Sequence, residues 1–105
     1  MPFLIEISAK AEQDIENAYS WLFERSEASA DRWLTGILAA IEKLKVSPGR
    51  GSLAPESKEF PEGIRQILYR RHRVLFSIIG GSVVVLHVRH TARSRFYRRD
   101  MFPAD

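Results

Sequence analysis

The chain has 105 residues, 45% hydrophobic and 28% charged, with a formal net charge of +3 and no cysteine. That length suits a single domain burying roughly 60–65% of its unfolded surface, and the missing cysteines exclude a disulfide scaffold, a thiolate metal site and a cysteine nucleophile. The N-terminus lacks a basic stretch followed by an apolar run, and no apolar run approaches the roughly 20 residues that span a bilayer, so a cytoplasmic protein with no membrane partner is expected.

Residues 3–7, Phe3-Leu4-Ile5-Glu6-Ile7, read as a short strand, and Ser8 as the N-cap of a helix that begins at Ala9. Ala11, Ile15, Ala18, Tyr19 and Leu22 recur at steps of three and four and form one stripe, with Glu12, Asp14, Glu16 and Asn17 facing away. After the polar break Glu24-Arg25-Ser26-Glu27, a second and stronger stripe runs through Ala30, Trp33, Leu34, Ile37, Leu38, Ile41 and Leu44, until Ser47-Pro48-Gly49 stops the helix. Trp21 and Trp33 lie at or beside these stripes and are expected to pack. Two amphipathic helices with so short a break should form an antiparallel hairpin.

Residues 47–63 turn to Pro, Gly, Ser and Glu without periodicity, which predicts a surface loop. Strands follow at 64–70, 73–79 and 83–88, separated by Arg71-His72 and by Gly80-Gly81. The predicted order is β-α-α-β-β-β: an α+β fold in which an antiparallel sheet carries the helical hairpin on one face and leaves the other open. On the middle strand Val74, Phe76 and Ile78 form one row, and Arg73, Leu75, Ser77 and Ile79 the other, with the row of Arg73 and Ser77 expected to meet solvent. A two-residue Gly80-Gly81 turn would place Arg73 with Val84, Leu86 and Val88. A three-residue turn including Ser82 would place it with Val83, Val85, His87 and Arg89, and is favoured because it avoids burying two polar side chains.

The charge is divided along the chain. The first 62 residues hold eleven of the thirteen acidic residues against seven basic ones, whereas Gly63 to Arg99 contains nine arginines, all three histidines and no carboxylate. Such asymmetry points to an anionic partner. Of these arginines, Arg70, Arg71, Arg98 and Arg99 read as solvating charges, while His90 and Arg93 lie just past the last strand, where functional residues are commonly presented.

The element order, the phrase Phe60-Pro61-Glu62-Gly63-Ile64-Arg65, then His72-Arg73-Val74-Leu75-Phe76-Ser77-Ile78 and Val85-Leu86-His87-Val88-Arg89-His90-Thr91-Ala92-Arg93 resemble the RelE/ParE superfamily of bacterial type II toxins. The likeness runs from Phe3 to about Arg93. It implies a growth-inhibiting toxin neutralised by a cognate antitoxin, a small protein with an acidic, partly disordered segment. Two classes share this likeness. ParE-like members poison DNA gyrase by binding; RelE-like members enter the ribosome and cut messenger RNA. The ending Val88-Arg89-His90-Thr91-Ala92-Arg93 and the longer helical hairpin look more ParE-like, and imply a target-binding surface of Arg65, Arg73, His87, Arg89, His90 and Arg93. Under the RelE-like alternative Arg73 and Arg93 would be catalytic, stabilising the scissile phosphate. The expected lysine pair is missing from Ile64-Arg65-Gln66, and Tyr97 is two residues out of step. An inactive relative that only binds an antitoxin is the third alternative.

Chemistry bears on the enzymatic alternative. Cleavage through the 2′-hydroxyl needs a base, an acid and positive charge on the phosphorane. Arginine serves only the last role, because its pKa stays above about 12. His72, His87, His90 and Tyr97 are the remaining candidates. With no paired carboxylates in the basic segment, neither a metal nor another cofactor is expected. The tail from about residue 94 is read as flexible.

Overall fold

The computed structural model describes residues 2–60 and 63–92. Strand β1 (Leu4–Ile7) leads into helix α1 (Ala9–Phe23) and, after a three-residue break, helix α2 (Glu27–Glu42). Both helix starts are capped by a serine, of which the sequence reading had named Ser8. Ser8 accepts a hydrogen bond from the Ala11 N–H, and Ser26 accepts one from the Ser29 N–H, satisfying amides that have no partner within the helix. Ser8 also donates through Oγ to the Leu86 carbonyl, fixing the start of α1 against the sheet. Tyr19 Oη donates to Asp31 Oδ1 at 2.6 Å and ties the two helices together. No helix among the described residues is long and apolar enough to cross a membrane.

Strands β2 (Ser52–Leu53), β3 (Arg65–Tyr69), β4 (His72–Ile79) and β5 (Ser82–His90) complete a five-stranded sheet of order β1-β5-β4-β3-β2. The sheet is mixed, whereas the sequence pointed to a purely antiparallel one. β1 returns to the sheet beside β5 and runs parallel to it; every other neighbouring pair is antiparallel. The helical hairpin on one face was anticipated. Ala11, Ile15, Trp33, Ile37, Ile41 and Leu44 of the helical half meet Val74, Phe76, Val83, Val85 and Val88 of the sheet in one apolar core.

The other face is not open. Residues 47–63, expected as a surface loop, contain β2 and the 3-10 turns Pro48–Arg50 and Pro55–Glu59. This segment folds back as a strap, and Ala54, Phe60 and Ile64 bury a second small core with Leu75 and Leu86. Ser77, expected in solvent, is buried and donates to the Gly63 carbonyl. The periodicity of the strap is invisible in sequence because its buried residues alternate with turns rather than following a helix or strand repeat.

The turn between β4 and β5 is the two-residue Gly80-Gly81, since Ile79 pairs directly with Ser82, so the three-residue turn is corrected. A bulge nonetheless brings Arg73 opposite Arg89, as the longer turn would have, while Val83 and Val85 stay on the helical face with Val74 and Phe76. Phe76 pairs with Val85 but Leu75 pairs with His87, leaving Leu86 extra, and Arg73 therefore faces Arg89 instead of Val88. One inserted residue reverses which side chains face which side, so turn length alone did not determine the register. The β3–β4 turn is Arg70-Arg71 rather than Arg71-His72, because Tyr69 pairs with His72.

Candidate functional site

Arg73 is the most heavily engaged of the predicted site residues. Its Nη1 and Nη2 donate to the two carboxylate oxygens of Glu56 at 3.0 and 2.5 Å, and its Nε donates to Gln66 Oε1 at 2.9 Å. The Glu56 side chain is fully buried and that of Arg73 is 11% exposed. Bidentate pairing of this kind matches the guanidinium fork to the carboxylate. All three guanidinium nitrogens are thus occupied by the protein itself. Arg65 is similarly committed, donating from Nη1 to the Gly51 carbonyl at 2.9 Å, so both arginines hold the strap against the sheet.

His87 sits at the bulge, buried, with Nδ1 against Asp14 Oδ2. The same carboxylate accepts the Val88 N–H at 2.9 Å and pairs with Lys10 at 3.2 Å. Burial pushes the Asp14 pKa up, but the hydrogen bonds from His87 and the Val88 amide, the charge of His87 and the Lys10 contact together outweigh it. Asp14 ends below the usual carboxylate range. Asp14 was expected to face away from the sheet. It lies three residues after Ala11 and four before Ala18, on the edge of the apolar stripe, and that spacing was the available signal. Arg89 Nη1 lies 3.4 Å from His87 Nε2.

His90 is the cross-strand partner of His72, their ring centroids 5.3 Å apart and nearly perpendicular. Its Nδ1 accepts the Ala92 N–H at 3.0 Å. His72 in turn meets the Trp33 indole edge-on at 5.1 Å. These aromatic groups line a groove of about 890 Å³ between the two helices, the β3–β4 turn and the end of β5. The groove wall also includes Arg70 and Arg71, which the sequence reading had treated as solvating charges.

The predicted site residues are therefore dispersed: Arg65 and Arg73 clamp the strap, His87 and Arg89 adjoin each other at the bulge, and His90 lies in the groove. Arg93 and Tyr97 lie outside the described residues, as does the tail from residue 94. Glu56, which decides what Arg73 can do, was missed; its partner is 17 residues away in a segment without periodicity, and no local pattern marks it. Among the described residues no three His, Asp or Glu side chains converge in a way that would hold a metal ion.

Residues 5–95 match the family model described as the ParE toxin of type II toxin-antitoxin system, parDE. The chain belongs to this family. Its fold is similar to that of a chain in a chromosomal ParDE TA system from P. aeruginosa, with a TM-score of 0.69 and 19% identity over 84% of this chain and 95% of that one. It is also similar to a chain in the toxin-antitoxin complex RelBE2 from Mycobacterium tuberculosis, with a TM-score of 0.55 and 22% identity over 89% of this chain and 95% of that one. No curated protein sequence matches the chain. For a ParE-type toxin the two helices followed by a mixed sheet are the shared frame, and the side chains described above are what this chain builds on it.

Proposed function

We propose that this ParE-type chain arrests growth by binding DNA gyrase, and that a cognate antitoxin neutralises it. The observation that carries the choice of binding over RNA cleavage is the Arg73–Glu56 pair. In the RelE-like class the arginine at this position touches the scissile phosphate. Here a phosphate would have to displace a buried bidentate carboxylate and the Gln66 oxygen. Removing one partner of a buried ion pair costs about 3–5 kcal/mol, which is comparable to the whole gain expected from one charge-stabilising donor in a transition state. Arg73 is better placed to hold the strap than to stabilise a phosphorane. Arg89, with Arg93 after the last strand, remains the basic group assigned to the target surface; His87, 3% exposed and held by Asp14, is removed from it.

Induction without the antitoxin, with DNA and protein synthesis pulse-labelled separately over the first minutes, tests the reading. Loss of DNA synthesis while translation continues is the expected result. Immediate loss of translation would instead favour a ribosome-dependent nuclease, and unimpaired growth would mark an inactive antitoxin-binding relative. A second arm uses the double substitution Arg73→Met with Glu56→Leu, which removes the pair without leaving a buried charge. Toxicity should survive it; a folded but non-toxic double variant would return Arg73 to a direct role.

A further inference from the structure

Asp14, His87 and Arg89 meet where β5 has lost its neighbour. β1 pairs with β5 only as far as Val85, so beyond the bulge the strand has an open edge, which α1 covers with one carboxylate. Asp14 Oδ2 accepts the Val88 N–H at 2.9 Å and also faces His87 Nδ1. The other oxygen pairs with Lys10 at 3.2 Å. Any acceptor would satisfy the Val88 amide. Burying an imidazole beside it, with its side chain 4% exposed, calls for a further reason, because a polar group taken out of water costs free energy unless it is bonded.

The carboxylate decides which nitrogen of His87 carries the proton. Burial opposes the Asp14 charge, but the hydrogen bonds from His87 and the Val88 amide outweigh it, and an ionised carboxylate can only accept. The proton therefore sits on Nδ1, and the neutral ring presents Nε2 as a lone pair. On that side Arg89 Nη1 lies 3.4 Å away, close enough to donate. A second proton on Nε2 would set two donors and two cations against each other.

Arg89 needs such a restraint. It is the direct cross-strand partner of Arg73, and like charges in that position repel. Arg73 is held by Glu56 and Gln66, so the relief falls to the long side chain of Arg89. An acceptor on the neighbouring ring limits where its guanidinium can go. We propose that Asp14 is a positioning residue for the target surface, acting through the Nδ1 proton of His87 so that Nε2 accepts from Arg89 and holds its guanidinium in one orientation. The inference rests on the gyrase-binding reading, in that Arg89 belongs to the surface that meets the target. A cation ordered before the encounter loses less side-chain entropy in it. Asp14 and His87 make no contact with the target themselves and supply the aim of the cation.

The test has two arms, both on the full chain. In the first, ¹⁵N spectra of the free protein labelled at histidine should show His87 protonated at Nδ1 and bare at Nε2 near pH 7. In Asp14→Asn, whose amide can donate as readily as accept, part of the proton should move to Nε2. An Nε2–H on His87 in the unaltered chain, with or without a proton on Nδ1, overturns the proposal. In the second arm, inhibition of purified gyrase is measured in a double-mutant cycle at a temperature where every variant is folded. Asp14→Asn should weaken inhibition about threefold to tenfold, Arg89→Ala should weaken it more, and the two together should go no further than Arg89→Ala alone. A purely structural Asp14 would cost the same with or without the Arg89 side chain. That additivity overturns the proposal and leaves the gyrase reading standing, as does an Arg89→Ala variant that inhibits as well as the unaltered chain. If the unaltered chain leaves gyrase uninhibited, the reading and the proposal fall together.

Discussion

The two faces of the sheet are closed by different physics. On the helical face Ile37, Ile41, Leu44, Val74, Phe76, Val83 and Val85 meet in a layer without polar groups, held by non-directional burial that tolerates volume-conserving exchange. On the strap face a much smaller apolar cluster, Ala54, Phe60, Ile64 and Leu75, is supplemented by the Arg73–Glu56 pair and by Ser77 bonded to the Gly63 carbonyl. Directional contacts hold the strap in one register but leave little tolerance for loss of a partner. The basic strand that looked like an open working surface is thus largely internal structure, and among the described residues Arg70 and Arg71, on the β3–β4 turn, are exposed cations without a carboxylate partner.

The largest expected effect separates the two faces. Glu56→Ala leaves a guanidinium 11% exposed and without its carboxylate, and should lose about 3–5 kcal/mol in urea unfolding. Phe76→Leu on the helical face should lose less, about 1–1.5 kcal/mol. The paired replacement of Arg73 by Met and Glu56 by Leu should recover most of the single-variant loss. A Glu56→Ala loss below about 1 kcal/mol would mean that the strap is held by its apolar residues alone.

A smaller effect probes how closely the helical face is packed. Helix α2 passes over β3 at Gly36, where an added Cβ would lie 1.8 Å from Tyr69 Oη. Alanine improves helix propensity by about 1 kcal/mol, but overpacking costs about 1–3 kcal/mol. Gly36→Ala should therefore destabilise by up to about 2 kcal/mol in thermal unfolding. A gain in stability would show that Tyr69 swings aside freely and that this face is less tightly specified than its apolar packing suggests.

The same contrast explains what the sequence revealed. The cap at Ser8, both helical stripes apart from the exposed Leu38, and the Val74–Phe76 row were legible because each is a local pattern that matches its element. The strap was not, since its burial depends on partners many residues away. Glu56 looks like any loop carboxylate until Arg73 is brought to it. The bulge at Leu86 was equally invisible, because no glycine or proline marks it. At the candidate site, the basic segment directed attention to the right region. Whether each arginine is free or occupied depended on the fold.

Asp14 sharpens the comparison by pH. Its carboxyl, held below the usual value of 3.8, caps the free edge of β5 at Val88 and meets His87. A carboxyl with a lowered folded pKa adds stability above its unfolded pKa, and that stability is lost as pH falls through the folded value. Asp14→Asn should accordingly cost about 1–2 kcal/mol near pH 7. The gap between variant and unaltered chain should close as pH drops below about 3.8. An equal gap at pH 7 and pH 2.5 would assign the loss to packing rather than to the ionised carboxylate.

The smallest effect concerns the two tight turns of the sheet, which solve one geometric problem differently. Gly80 adopts φ of 59° and Arg70 adopts 53°. Glycine enters this region without a Cβ penalty, whereas a side chain there costs on the order of 1 kcal/mol. Arg70→Gly should therefore raise stability by up to about 1 kcal/mol in thermal unfolding, less whatever the added backbone freedom of the unfolded chain takes back. A loss of stability would show that the contact of the Arg70 guanidinium with the Tyr69 ring outweighs the strain of the turn.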